Sequence, residues 1–99
     1  MTNSAQKISE KVTIINELGL HARVAAKIAK SAIQAQASVW LELVYENGQR
    51  SERANASQIL EVMTLACPKG SEIVLTIDDP ADMKILEDIV RMVKEGFGE

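Results

Sequence analysis

The chain has 99 residues, a formal net charge of -3 and 46% hydrophobic residues. That is one domain with a single small core, built on Ile, Leu, Val, Ala and Met because only one Trp, one Tyr and one Phe occur. Mild acidity without a run of either sign argues against nucleic acid as a partner. No apolar stretch reaches membrane-spanning length, so no membrane insertion is expected, and the start of the chain lacks a secretory signal. Cys67 is alone, which excludes an internal disulfide and suits a reducing cytoplasm.

Residues 1–10 are polar and without a period; they read as a loose leader, with residues 11–99 as a single domain. Lys11-Val12-Thr13-Ile14-Ile15 is a strand with Val12 and Ile14 on one face. Asn16-Glu17-Leu18-Gly19 then turns the chain into a helix expected to run from His21 to about Gln34. Its stripe is Val24, Ile28, Ala32 and Ile33, with Ala25 and Ala29 beside it and Lys27 and Lys30 off it. No Gly or Pro marks its end. Ala37 to Tyr45 alternates as a second strand. Asn47-Gly48 signals a two-residue hairpin, both positions tolerating positive φ, with a polar return strand over Gln49 to Arg53. Asn55, in a capping box with Gln58, or else Ser57, caps the next helix. This helix carries Ile59, Leu60, Val62, Met63 and Leu65, of which Val62 and Leu65 belong to the core, and Pro68 and Gly70 end it.

Glu72 to Ile77 is a strand with Ile73, Leu75 and Ile77 facing the core. Asp79-Pro80-Ala81-Asp82 opens the last helix with a capping Asp, a proline at the first position and acid in the first turn. Met83, Leu86, Val90 and Val93 form its stripe, and Gly96 stops it. The order is β-α-β-β-α-β-α. A hairpin excludes an all-parallel sheet, which leaves an α+β fold with helices on one face of a mostly antiparallel sheet.

Function points to His21, the only histidine. It sits at, or one residue before, the first turn of a helix. Backbone N–H groups there lack intrahelical partners, and the macrodipole adds positive charge, so an anion is favoured. Arg23 adds a planar donor fork suited to phosphate. A helix N-terminus disfavours the protonated imidazole, and the neutral ring is the nucleophile. A lone histidine at a helix start is more often a surface or capping residue, so the neighbouring residues must decide.

They do. Gly19-Leu20-His21-Ala22-Arg23-Val24-Ala25-Ala26 resembles the active-site segment of the HPr family, the histidine phosphocarriers of the bacterial phosphotransferase system. Asn55 to Leu65 resembles the family's second helix, and Lys69-Gly70-Ser71-Glu72-Ile73 the turn into its last strand. The resemblance runs from about Lys11 to Val93. It implies an open-faced β-sandwich, a four-stranded antiparallel sheet with three helices on one face. It implies a cytoplasmic, monomeric carrier that accepts a phosphoryl group on His21 from enzyme I and passes it to an enzyme IIA domain, for sugar uptake or a regulatory branch. Arg23 and the backbone of Ala22, Arg23 and Val24 would hold the phosphoryl group. Ala26, Lys27, Lys30, Gln58, Ile59, Leu60 and Met63 would dock partners. Such a protein is a participant in phosphoryl transfer rather than a stand-alone enzyme.

Two positions depart from the family. Val24 stands where proline is common, and Gln58 where some members carry a regulated serine, with Ser57 one place earlier. The alternative reading is a regulatory module that uses the same face to control a transcription factor or metabolic enzyme. One His and one Cys far apart make no metal site, the acids at Asp78, Asp79 and Asp82 are explained by capping, and no cofactor is expected.

Overall fold

The structure is a computed structural model, which describes residues 7–99. Strand β1 spans Ile8–Thr13, helix α1 Ala22–Ala32, β2 Val39–Val44, β3 Ala54–Asn55, α2 Ile59–Thr64, β4 Glu72–Ile77 and α3 Met83–Lys94. The four strands form one sheet in the order β1-β4-β2-β3, every pairing antiparallel. With three α-helices this is the α+β open-faced sandwich that the sequence implies.

β4 is the axis of the sheet. It pairs with β1 from Ile8↔Ile77 to Thr13↔Glu72, and with β2 from Val39↔Ile77 to Val44↔Glu72. Alternation sends Val12, Val39, Leu41, Ile73, Leu75 and Ile77 into one core with Ile28, Leu86, Ile89 and Val93 from the helices. On the open face the Arg53 guanidinium lies 3.7 Å from the centre of the Trp40 ring, and Trp40 Nε1 donates to Asp78 Oδ2 at 2.9 Å.

Several boundaries differ from expectation. β1 begins at Ile8, inside the stretch read as a leader: Ile8 packs on the core, and the Ser9 and Thr76 hydroxyls hydrogen-bond at 2.8 Å. Residues 1–6 of that stretch lie outside the described residues. α1 stops at Ala32, short of Gln34, because the Asp82 carboxylate pulls the chain away. Its oxygens accept from Gln36 N at 2.8 Å and Ala37 N at 3.0 Å, and Asp82 is buried there. Its role is thus a clamp between loops as well as a first-turn acid.

The hairpin turn has positive φ at Gly48 only. Gly48 N donates to Tyr45 O and Tyr45 N to Gln49 O, each at 2.8 Å, a three-residue loop in which Asn47 needs no left-handed backbone. The return strand is displaced from residues 49–53 to Ala54–Asn55, with only a Val44↔Arg50 bridge before it. Neither Asn55 nor Ser57 caps α2. Its N-cap is Gln58, without a side-chain bond, while Asn55 Oδ1 accepts from Ser57 N and Oγ in the preceding turn. Asp79 does cap, accepting from Ala81 N at 2.9 Å, but the turn it caps, Pro80–Asp82, is a 3-10 turn leading into α3.

Candidate functional site

The loop before α1 is pinned by sterics. Leu20 is buried, and its N–H donates to Cys67 O at 3.0 Å. Gly19 has φ +67°, and a Cβ there would lie 2.2 Å from Cys67 O, so only glycine lets the loop lie this close to the end of α2. His21 follows as the N-cap of α1, extended at φ -88° and ψ 177°, with a side chain that makes no capping bond. Its carbonyl accepts the first helical bond, from Ala25 N at 2.9 Å. Among the described residues the N–H groups of Ala22, Arg23 and Val24 have no hydrogen-bond partner, as the first turn of a helix dictates. Val24, Ala25, Ile28, Ala29 and Ala32 fix the inner face of α1 in the core, which leaves His21 and Arg23 outside it.

A third group meets them there. After α3 the chain turns through Gly96–Gly98. Phe97 has φ 59° and is buried in the core, and its carbonyl accepts from Lys27 Nζ at 2.9 Å. This strap lays the Glu99 side chain against the helix start. Glu99 Oε2 accepts from His21 Nε2 at 2.7 Å and from Arg23 Nη2. Oε1 accepts from Asn16 Nδ2 at 3.0 Å. The Glu99 side chain is 16% exposed, His21 25% and Arg23 66%, so the carboxylate is the most enclosed of the three. The Arg23 guanidinium above all, then Asn16 and His21, hold the Glu99 carboxyl down at about 2 against the opposing effect of burial. It is therefore ionised near neutral pH.

Asn16 is buried; its Nδ2 also donates to Gly19 O at 2.8 Å, and its Oδ1 has no partner among the described residues. An ionised carboxylate only accepts, so the His21 Nε2 carries the shared proton, and Nδ1 of the neutral ring keeps its lone pair. The arrangement is an anion site with the second ring nitrogen, Nδ1, at its edge. Cys67 offers no rival nucleophile: it is buried, and burial pushes its thiol up to about 11. Among the described residues no group of three or more His, Cys, Asp or Glu could hold a metal ion.

The second group of residues lies on α2 and the outer face of α1. Val62 points into the core, Leu65 is half-buried, and Gln58, Ile59, Leu60 and Met63 are exposed, Leu60 at 77%. Ala26, Lys27 and Lys30 are exposed on α1, which packs against α2. Lys27 is partly committed to the strap, and with Lys30 it lines a groove beside Asp88 and Met92 of α3.

Three residues were not singled out from the sequence. Leu18, 71% exposed in the loop before His21, carried a signal as an apolar side chain in an otherwise polar turn. Asn16 carried a weaker one as the first residue of that turn. Glu99 carried none, since it meets His21 across 78 positions.

Comparison with known proteins gives one consistent answer. The family described as "PTS HPr component phosphorylation site" matches residues 8–95. The phosphocarrier protein HPr of Cupriavidus necator is 33% identical over 92 residues, covering 93% of this chain and 97% of its own. That of Neisseria meningitidis serogroup A is 30% identical with the same coverage. Among solved structures, HPr from Thermoanaerobacter tengcongensis superposes with a TM-score of 0.76 at 28% identity, over 93% of this chain and 97% of that one. HPr from Bacillus anthracis superposes with a TM-score of 0.74 at 28% identity, over 88% and 96%.

Proposed function

The chain belongs to the HPr family of phosphotransferase-system phosphocarriers, and from that premise we propose that His21 is the residue that carries the phosphoryl group. Enzyme I supplies the group and an enzyme IIA domain receives it, in a sugar-uptake or a regulatory branch. The protein works as a monomer in the cytoplasm, its HPr-like domain complete without a cofactor.

The observation that carries this reading is the carboxylate already gathered by His21 and Arg23. A ring nitrogen and a guanidinium that together grip one anion are arranged to hold another. Nδ1 attacks the phosphorus, and the donor's bond to phosphorus breaks in line with the new one. The phosphoryl oxygens then meet the N–H groups of Ala22, Arg23 and Val24, which have no other partner among the described residues. Arg23, the most exposed member of the site, swings from Glu99 to the new dianion.

Docking falls to the apolar surface of Ile59, Leu60 and Met63 with Gln58 beside it, and to Ala26, Lys27 and Lys30 on α1. A short helix that leaves this much apolar surface in water has an interface to fill. The lysines suit an acidic partner surface although the whole chain is mildly acidic.

Incubation with phosphoenolpyruvate and purified enzyme I tests the proposal. Wild type should gain one acid-labile phosphoryl group, and His21→Ala should gain none while keeping its melting temperature. A His21→Ala variant that still takes the group would remove His21 from the reaction.

A further inference from the structure

The face of the sheet turned away from the helices has no part in the phosphoryl site. Ser9, Thr76 and Trp40 stand in one row across it, because Thr76 of β4 pairs with Ser9 of β1 on one side and with Trp40 of β2 on the other. Lys7, Glu42, Arg50 and Arg53 complete the wall of a cavity of about 220 Å³ over that row. We propose that this cavity is a binding site for a small phosphate monoester with a short hydroxylated body.

The cavity is cationic in a chain that is not. Of its lining residues Lys7, Arg50 and Arg53 are positive and only Glu42 is negative, whereas the whole chain carries -3. Glu42 Oε1 accepts from Arg50 Nη1 at 3.2 Å, so Lys7 and Arg53 remain to meet a ligand. A phosphate monoester is close to a dianion at neutral pH, and its charge matches those two cations. A carboxylate brings half as much.

Arg53 is held ready for such a group. Its guanidinium lies 3.7 Å from the centre of the Trp40 ring, and Trp40 is itself fixed where Nε1 donates to Asp78 Oδ2 at 2.9 Å. Stacking uses the flat face of a guanidinium and leaves its edge N–H donors for oxygen atoms, in the planar fork that phosphate accepts. The hydrogen bonds and ion pairs of this face engage Trp40, Arg50 and Lys11 but not Arg53. Asp78 does not compete for it from within the cavity: it is not part of the wall, one of its oxygens is on the indole, and the other is enclosed.

The rest of the wall sets the body of the ligand. The Ser9 and Thr76 hydroxyls bond to each other at 2.8 Å. That bond uses one of their two protons and leaves the other, with free lone pairs, for ligand hydroxyls. The volume lies below the roughly 300–1,000 Å³ of ordinary ligand pockets, which restricts the body to a few carbons. The core separates this face from the helices, so a ligand here leaves His21 and the α2 surface open. The site does not depend on the phosphocarrier reading.

The test titrates the full chain with glycerol 3-phosphate and, in parallel, with glycerol, inorganic phosphate and sulfate. Emission from Trp40, the single tryptophan, and backbone amide shifts are read together. Glycerol 3-phosphate should give a saturable change in Trp40 emission, with shifts at Ser9, Trp40, Arg53 and Thr76 and none at His21. Glycerol should give no response, and inorganic phosphate and sulfate should bind several-fold more weakly. By amide shifts, Arg53→Ala should weaken glycerol 3-phosphate about tenfold or more, the scale of a lost hydrogen bond to a charged group. Arg53→Lys should recover part of that, and Lys7→Ala should weaken binding by a smaller factor. All three positions changed are exposed side chains, so melting temperatures should hold.

A wild type with no saturable response to glycerol 3-phosphate would overturn the proposal. So would shifts confined to His21 and Arg23, which would place the anion at the start of α1 instead. Equal binding of sulfate and glycerol 3-phosphate would reduce the cavity to a patch of charge and would overturn it too, as would an affinity unchanged in both Arg53→Ala and Lys7→Ala.

Discussion

α1 and α2 start alike and serve differently. Each begins after an extended residue that forms no side-chain cap, His21 in one and Gln58 in the other. α1 then runs for 11 residues and buries Val24, Ala25, Ile28, Ala29 and Ala32. α2 runs for 6 and buries only Val62. A helix of that length has little stability of its own. It is held by Val62 and by Glu61, whose Oε1 accepts from Asn55 N at 2.8 Å. Because the core carries α1, its first turn is free to leave N–H groups open and to hold charge. Because α2 has one buried side chain, its remaining apolar residues stay at the surface. The first helix therefore suits bond-making, the second contact.

The comparison breaks most visibly at Arg23. Arg23→Ala should slow phosphoryl transfer by about 100-fold, the scale for removing one preorganised donor from a developing anion, with little change in partner affinity. Arg23→Lys should recover only part of the rate, since an ammonium lacks the planar fork. Equal transfer rates for wild type and Arg23→Ala would mean that the guanidinium serves only Glu99.

The next effect sharpens the contrast within α2. Leu60→Glu should weaken binding of enzyme I and IIA together, by about tenfold, and leave the melting temperature nearly unchanged. Val62→Ala should do the reverse: a loss of about 2 kcal/mol of stability from a cavity in the core, with docking intact once the protein is folded. Calorimetry and titration on the same two variants check both statements, and a shared pattern in the two would contradict the division between core and contact residues.

The smallest effect belongs to Val24. Its N–H has no partner among the described residues, so Val24→Pro should change stability by no more than about 1 kcal/mol. The phosphorylated form should hydrolyse faster, because one donor to the phosphoryl group is gone. An unchanged lifetime would show that the N–H groups of Ala22 and Arg23 suffice.

What was legible in the sequence was local. β4 spans Glu72–Ile77 as read, because alternating Ile73, Leu75 and Ile77 lie between turn residues. His21 falls at the start of α1 because a glycine turn and a helical stripe meet there. What escaped was set by partners distant in the chain. Nothing near Ala32 says that α1 ends; Asp82, 46 positions beyond Gln36, decides it. β3 lies at Ala54–Asn55 because Ala54 faces Leu41 and the core, whereas residues 49–53 give the sheet no buried apolar side chain. Glu99 escaped for the same reason, since the contact that brings it to His21 exists only after α3 and the strap have packed.

The most direct test of the account is where the phosphoryl group sits. Protein labelled with nitrogen-15 in its single histidine, phosphorylated by enzyme I and examined by phosphorus and nitrogen NMR, should show one phosphorus coupled to Nδ1 of His21, with the proton retained on Nε2. Coupling to Nε2, the nitrogen that faces Glu99, or a phosphoryl group on any other residue, would contradict it.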